Sequence, residues 1–274
     1  YTYVLAGDGD LMEGISQEAL SLAGHHQLGK LIVLHDANQV SLDGPLNLSS
    51  SENQRQRFEA AGWDYLVVEH GDTDVAAIEQ ALQQAKQTAQ PTLIEVQTTI
   101  GYGAPQAGTN KVHGAPLDAA GRQALADFFK WEAAPFEIDQ TIRDHFAAAV
   151  AGKQSGYEAW QKMFATYQAK YPQETAELTH APLSVAGVKT AYQPGDKVAT
   201  RQASAEILQK VAAANPQFWG GAADLASSNK TFLNDLGRFS PATPAGRNVN
   251  FGVREFGMAA ALNGMNLHGG NRAF

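Results

Sequence analysis

The chain has 274 residues, enough for one large domain or two ordinary ones. Hydrophobic residues make up 44% of it and charged residues 18%, which is typical of a globular protein and excludes a largely disordered one. The net charge of −8 argues against a surface for duplex nucleic acid, and no apolar run approaches the roughly 18 residues of a membrane-spanning helix. Cysteine is absent, which excludes a disulfide framework and fits a reducing compartment such as the cytoplasm.

The first forty residues predict a strand, a glycine turn, a helix and a second strand. Apolar residues 3–5 run into Gly7-Asp8-Gly9, a helical pattern extends from about residue 12 to 26, and apolar residues 31–34 lead to Asn38. Because the carboxyl ends of parallel strands lie side by side, Asp8 and Asn38 are expected to meet in one crevice. Taken alone, the Gly-Asp-Gly string is equally typical of an ordinary turn.

The residue types in this crevice favour a divalent cation that holds a diphosphate. The Asp8 carboxylate, the Asn38 amide oxygen and a backbone carbonyl from the following turn are hard oxygen ligands for Mg²⁺ or Ca²⁺. Gly9 would let the backbone approach the phosphates, and the amides that open the next helix would add donors.

Strands and helices continue to alternate as far as residue 98. A short helix ends at residues 58–61, a strand covers residues 65–68, Asp72 or Thr73 caps the next helix, and a strand covers residues 92–98. This alternation predicts an α/β fold with a doubly wound, mostly parallel sheet.

Residues 100–116 have no periodicity, and a loop of that length is usually functional or disordered. Helical patterns then cover residues 118–131, 139–150 and 155–171. The periodicity fades over residues 178–197. We therefore predict a first domain at residues 1–177, a linker at 178–197 and a second domain at 198–274.

The second domain repeats the α/β pattern. A helix begins near Thr200, a strand covers residues 218–222, and a strand at residues 248–254 runs into a helix that begins near Glu255. Tyr1 stands one residue before a strand that reads as buried, and Phe274 comes before any following strand. We therefore expect the chain to be an internal part of a longer protein, incomplete at both ends.

Several strings together resemble the transketolase family of thiamine-diphosphate enzymes. GDGDLMEGISQEALSLAG at residues 7–24 is followed by LGKLI, and later strings occur in the family's order: TIGYG (99–103), HGAPL (113–117), AAPF (133–136), ADL (223–225) and VREFGM (253–258). The Met-Glu-Gly and Ser-Leu-Ala-Gly strings favour transketolase over the related deoxyxylulose-phosphate synthases. The resemblance implies the thiamine-diphosphate-binding fold, with a diphosphate-binding domain before a pyrimidine-binding domain.

The resemblance also implies roles for residues of the first domain. Asp8, Asn38 and the Val40 carbonyl would bind Mg²⁺ or Ca²⁺, and the Gly9 backbone would hold the diphosphate of thiamine diphosphate. His113 would contact both that diphosphate and the substrate, as a catalytic and binding residue.

The resemblance implies roles for three residues of the second domain as well. Glu255 would be the catalytic glutamate, bonded to the aminopyrimidine ring of the cofactor, and Arg201 and Ser228 would hold the sugar phosphate. On pattern alone, Glu255 is an acid that stabilises a helix N-terminus, Arg201 a surface residue and Ser228 a helix cap.

An ordinary structural role is also considered for two further groups of residues. Glu13 and Glu18 are either ordinary helix acids or, by the resemblance, carboxylates at a subunit interface that share protons. The other histidines are expected to have no role in the site: His25, His26, His35, His70, His145, His180 and His268.

The implied activity is transfer of a two-carbon ketol unit from a ketose phosphate to an aldose phosphate in the pentose phosphate pathway. The implied assembly is a cytoplasmic homodimer with the cofactor between subunits, with neither nucleic acid nor a membrane as partner. Dihydroxyacetone synthase, phosphoketolase and a non-catalytic cofactor-binding fragment are alternatives. Because family residues should precede Tyr1 and follow Phe274, this polypeptide alone is expected to lack activity.

Overall fold

The computed structural model describes residues 1–178 and 182–274, in two compact units, Tyr1–Glu132 and Ala133–Phe274. His180 and part of the predicted linker lie outside the described residues. Among the helices that are described, none has both the length and the hydropathy needed to cross a membrane.

The first unit contains a parallel sheet of four strands and a small antiparallel hairpin. The strands are β1 (Thr2–Gly7), β2 (Leu31–Ala37), β3 (Val40–Ser41), β4 (Gly44–Pro45), β5 (Asp64–Val68) and β6 (Thr92–Gln97). The parallel sheet has the order β1-β2-β6-β5, while β3 and β4 form the antiparallel hairpin directly after β2. The carboxyl ends of all four parallel strands therefore lie at one edge.

Helices cover both faces of this sheet. They are α1 (Asp8–Met12), α2 (Gly14–His25), α3 (Gln54–Ala60) and α4 (Val75–Ala85). A further helix, α5 (Ala119–Phe129), ends this unit. In β2, Val33 packs with α2 and α3, whereas its neighbour Ile32 packs with α4 on the opposite face. Successive strand residues alternate between faces, so a strand buried on both sides is apolar at consecutive positions. The predicted α/β class with a doubly wound parallel sheet is confirmed.

The predicted helix from about residue 12 to 26 is in fact two helices, and the first begins at Asp8. The break falls at Glu13, whose backbone is extended (φ −60°, ψ 138°). Side chains from α2 bond two carbonyls in the last turn of α1, next to this break. Ser16 Oγ donates to the Asp10 carbonyl at 2.6 Å, and Gln17 Nε2 donates to the Leu11 carbonyl at 2.7 Å.

The predicted cap of α4 is wrong by one or two residues. Asp74, not Asp72 or Thr73, accepts a bond from the Ala77 amide at 2.9 Å. Asp72 instead accepts from the Thr99 amide at 3.0 Å, which ties the segment before α4 to the segment after β6.

Gly24 marks a close approach between α2 and the turn that follows α3. A Cβ atom at this position would lie 1.8 Å from the Ala61 carbonyl oxygen. We expect Gly24→Ala to destabilise the first unit by about 2–3 kcal/mol because the backbone must move apart. Gly14→Ala is the matched control, since a Cβ there meets nothing within 4 Å. Urea unfolding followed by circular dichroism would measure both variants, and equal midpoints would contradict the expectation.

The second unit combines a long helix with a smaller parallel sheet. Its elements are α6 (Gln140–Lys170), α7 (Pro172–Leu178), α8 (Thr200–Ala214), β7 (Phe218–Ala222), α9 (Ala226–Asn229), β8 (Asn248–Asn250), α10 (Glu255–His268) and β9 (Arg272–Ala273). The sheet order is β8-β7-β9, with both pairs parallel. The predicted start of α10 at Glu255 is confirmed.

Two predicted boundaries in this unit are wrong. Residues 139–150 and 155–171 were expected to form two helices, but α6 is continuous. Gly152 and Gly156 both lie on open surface, and Gln154 donates to Glu158 at 3.0 Å across Gly156. The strand expected at residues 248–254 ends at Asn250. Gly252 has φ +67°, a left-handed conformation that turns the chain out of the sheet.

Arg247 joins α8 to the sheet of the second unit. Its guanidinium donates to the carbonyls of Ala212 at 2.8 Å, Asn215 at 2.7 Å and Phe218, where the Nε bond measures 2.8 Å. These carbonyls lie at the end of α8 and the start of β7, where helix and strand backbone bonds stop. Burial lowers the pKa of the Arg247 guanidinium.

Candidate functional site

Asp8 is a buried carboxylate at the carboxyl end of β1. It is the first residue of α1, and only 6% of its surface is exposed. Its Oδ1 lies 2.9 Å from Nε2 of His35, and its Oδ2 accepts a bond from the Gln39 amide at 2.8 Å. Both carboxylate oxygens are therefore held by groups from β2 and from the turn that follows it.

That turn also fixes Asn38 beside Asp8. Asn38 Oδ1 accepts from the Val40 amide at 3.0 Å, and its Nδ2 donates to Asp36 at 3.3 Å. Gln39 has φ +61°, a left-handed conformation that is uncommon outside glycine and that points its amide at Asp8. The strand register aligns Gly7 with Asp36, so the segments after β1 and β2 leave the sheet side by side, as the sequence predicted.

The Val40 carbonyl belongs to the hairpin that closes this turn. Val40 is 8% exposed and pairs with Pro45 in the ladder of β3 and β4. The Leu46 amide donates to the Gln39 carbonyl at 2.8 Å, so Val40 and Pro45 form a non-hydrogen-bonded pair and the Val40 carbonyl points away from β4. A carbonyl in this position keeps its capacity to coordinate a cation.

The first unit contains a set of donors that fits a hard divalent cation. A carboxylate, a side-chain amide and a backbone carbonyl from Asp8, Asn38 and Val40 are oxygen ligands of the kind that Mg²⁺ and Ca²⁺ prefer. A Cβ atom placed on Gly9 would meet nothing within 4 Å, so the backbone there adjoins open space. Within the described residues, no three His, Asp or Glu side chains cluster as a metal site.

His113 lies in the long segment after β6, at the end of a 3₁₀ turn (Asn110–Val112). It is half-buried. Asn110 Nδ2 donates to the Leu42 carbonyl at 3.1 Å, and Thr98 Oγ1 bonds Asp36. The segment that carries His113 is therefore tied to the end of β2 through Thr98 and to the hairpin turn after β2 through Asn110, and Asn38 lies between these two places in the chain.

Ser228 and Glu255 lie in the second unit, after the carboxyl ends of two adjacent strands. Ala222 and Asn250, the last residues of β7 and β8, are aligned in the register. Ser228 follows β7 on α9, and Glu255 follows β8 as the first residue of α10. Both are exposed. Such an edge is where ligands bind in open α/β sheets.

Arg201 lies in the first turn of α8 and is also exposed. Its neighbour Gln202 lines a surface cavity together with Lys230, two residues after Ser228. The structure thus places Arg201 in the same unit as Ser228 and Glu255, while Asp8, Asn38, Val40, His113 and Gly9 lie in the first unit.

Sequence reasoning missed His35, which contacts Asp8 directly. A single histidine in an apolar strand is usually an ordinary buried residue. The alternation of strand side chains between the two faces could have identified it. His35 is two residues after Val33, so it lies on the sheet face that α1 and α2 cover, next to the end of β1.

Comparisons with known proteins agree over the whole length of the chain. Residues 1–184 match the family model described as "Transketolase, thiamine diphosphate binding domain", and residues 196–274 match "Transketolase, pyrimidine binding domain". Transketolases from Geobacillus stearothermophilus and Bacillus subtilis are 50% and 48% identical, and each match covers 100% of this chain. The chain spans 42% of the length of both relatives.

A solved structure gives the same result. The structure of transketolase from Leishmania mexicana superimposes with a TM-score of 0.94 and 39% identity, covering 100% of this chain and 42% of that one. The first family model covers well over half of the residues, and the chain has the fold of a solved transketolase. The chain therefore belongs to the transketolase family.

Proposed function

We propose that a protein carrying this sequence is a transketolase that moves a two-carbon ketol unit from a ketose phosphate to an aldose phosphate in the pentose phosphate pathway. The observation that carries the proposal is the buried Asp8 carboxylate beside the Asn38 turn, within residues that match a thiamine-diphosphate-binding domain. Identities of 48% and 50% to relatives named transketolase support the same activity. The domain boundaries we propose are residues 1–177, 178–197 and 198–274.

In the first domain, Asp8, Asn38 and the Val40 carbonyl would bind Mg²⁺ or Ca²⁺. Gly9 would let the cofactor diphosphate approach the backbone, because no other group fills the space that a side chain would take there. His113 would contact the diphosphate and the substrate. This role is supported by the bond from Asn110 that ties its segment to the hairpin after β2.

In the second domain, Glu255 would hydrogen-bond the aminopyrimidine ring and exchange a proton with it. When bound, thiamine diphosphate supplies a thiazolium ring that stabilises the negative charge of the transferred unit. Arg201 would hold the sugar phosphate through its planar fork of donors, and Ser228 would add a hydroxyl.

We also propose a cytoplasmic homodimer in which two copies complete each site. Val253 and Phe256, on either side of Glu255, are 71% and 74% exposed. In the first unit, Met12 and Ile15 are exposed around the break between α1 and α2. Apolar side chains around proposed site residues are the surface that a second copy would cover. Glu13 and Glu18 would then lie at the interface between subunits.

The metal site can be tested through cofactor binding. Calorimetry with thiamine diphosphate and excess Mg²⁺ should show roughly 100-fold weaker binding to Asp8→Ala, because the only carboxylate among the proposed ligands is lost. Asp43→Ala is the matched control, since Asp43 is an exposed carboxylate in the nearby hairpin turn. Repeating the titration with EDTA should bring the unmodified chain to the level of Asp8→Ala. Equal affinities for Asp8→Ala and the unmodified chain would contradict the proposed ligand.

A further inference from the structure

His35 is held in contact with Asp8 by the register of the sheet. It lies opposite Ala6 in the pairing of β1 and β2, two residues before Asp8. The two side chains are each 2% exposed, and Nε2 lies 2.9 Å from Oδ1. Because both side chains are so deeply buried, water does not compete for this hydrogen bond, and the surrounding protein fixes its geometry.

The chemistry of the pair determines which nitrogen carries the proton. An ionised carboxylate only accepts hydrogen bonds, so Nε2 of His35 must be the donor to Asp8. Within the described residues, Nδ1 of His35 has no hydrogen-bond partner. An imidazole that donates once, through Nε2, needs no second acceptor at Nδ1. The arrangement therefore matches a neutral ring in its Nε2–H tautomer.

Two neutral donors thus hold the Asp8 carboxylate. One is the His35 ring and the other is the Gln39 amide, and each takes one of the two oxygens. Neither cancels the negative charge, as a lysine or arginine would. Each oxygen keeps further lone pairs, since a carboxylate offers about four acceptor directions in all. The carboxylate is consequently oriented and still able to coordinate a cation.

We propose that His35 is a positioning residue for the divalent cation, which orients the Asp8 carboxylate through its Nε2–H group. This inference rests on the proposed function, because it takes Asp8 as a metal ligand. Hydrogen bonds from outside the coordination sphere orient ligating carboxylates, and their loss typically weakens metal binding 10- to 100-fold. His35 does not touch substrate or cofactor in this role.

Four variants separate positioning from simple packing. Glutamine places its amide nitrogen close to the position of Nε2, so His35→Gln keeps a donor for Asp8. Asparagine is one methylene shorter and places its amide near Nδ1, away from Asp8. His35→Leu keeps a side chain of comparable bulk without any donor. Asp8→Ala removes the proposed ligand itself.

The probe is Mn²⁺ in the presence of saturating thiamine diphosphate, with free Mn²⁺ measured by electron paramagnetic resonance. We expect His35→Leu and His35→Asn to bind Mn²⁺ 10- to 100-fold more weakly than the unmodified chain. His35→Gln should stay within about threefold of it, because the donor is restored. Thermal unfolding without metal, measured on the same samples, identifies any variant that does not fold.

The outcomes distinguish this inference from the proposed function. If Asp8→Ala loses Mn²⁺ binding while His35→Leu and His35→Asn retain it, the positioning role is wrong and the metal site stands. If Asp8→Ala binds as well as the unmodified chain, or the unmodified chain binds no Mn²⁺, the metal site is wrong and the inference with it. Should His35→Leu fail to fold, the comparison of His35→Gln with His35→Asn decides, and equal affinities would overturn the role.

Discussion

Glu255→Gln is expected to lower the rate of ketol transfer by about 10²- to 10⁴-fold in a protein that carries this sequence and has the activity. Glutamine has nearly the same shape as glutamate but cannot exchange a proton, which is the role proposed for this carboxyl group. Glu255 is exposed as the first residue of α10, so the substitution creates no cavity and breaks no internal packing.

The measurement is the rate of transfer from xylulose 5-phosphate to ribose 5-phosphate at saturating cofactor. Glu158→Gln is the matched control, because Glu158 is an exposed glutamate on α6, away from the carboxyl edge of the second sheet. Circular dichroism should show equal folding of both variants. A kcat for Glu255→Gln within a few-fold of the unmodified protein would contradict the proposed proton exchange.

Arg247→Met is expected to destabilise the second unit by about 2–4 kcal/mol. The Ala212 and Phe218 carbonyls would lose the donors that the guanidinium supplies, while the Asn215 carbonyl would keep its bond from the Phe218 amide. A buried acceptor without a donor costs about 1–3 kcal/mol. Methionine keeps much of the side-chain volume, so the effect reports the hydrogen bonds rather than a cavity.

Urea unfolding monitored by tryptophan fluorescence would measure this loss. Arg247→Lys should recover only part of the stability, because one ammonium group cannot reproduce the fork that reaches three carbonyls. Arg238→Met is the control, since Arg238 is an exposed arginine in the same loop and should cost less than about 1 kcal/mol. If Arg247→Met and Arg238→Met unfold at the same urea concentration, the bonds made by Arg247 contribute little.

The architecture of the first unit could be predicted because its strands are apolar and its turns are polar. Residues 31–34 and 92–98 were predicted to be strands, and they form β2 and β6, which pair in the sheet. The first and last residues of the helices could not be predicted as well. The division of the predicted helix into α1 and α2 depends on the extended backbone of Glu13 and on hydrogen bonds from the Ser16 and Gln17 side chains, and such local bonds leave no periodic signal.

The length of α6 illustrates a second limit. The sequence predicted two helices, at residues 139–150 and 155–171, whereas α6 also includes the intervening Gly152. Glycine within a helix costs about 1 kcal/mol relative to alanine. The structure shows that a cost of this size does not end the helix where its surface is open. Conversely, Gly252 does end β8, because it takes a left-handed conformation. Composition alone does not distinguish these cases.

The part of the candidate site whose residues directly follow the ends of strands could be predicted. Asp8 and Asn38 could be paired because parallel strands share a carboxyl edge. The bonds from His35 and Gln39 could not be predicted, because they depend on which face of β2 is inward and on a left-handed residue in the turn. The roles of Glu255, Arg201 and Ser228 came from family resemblance, since an exposed acid, arginine or serine has no chemistry of its own in the pattern.

The alternation along β2 has a consequence for the fidelity of folding. His35 points inward and is 2% exposed, while its neighbour Asp36 is exposed. A one-residue slip of a strand turns every side chain to the opposite face. If β2 slipped by one residue toward its carboxyl end, Asp36 would take the buried position of Ala37 and His35 would take the exposed position of Asp36, at a considerable energetic penalty. The residues that surround the candidate site thus favour one strand alignment, and a chain that pairs wrongly would lose the contact between His35 and Asp8 and part of its stability in the same step.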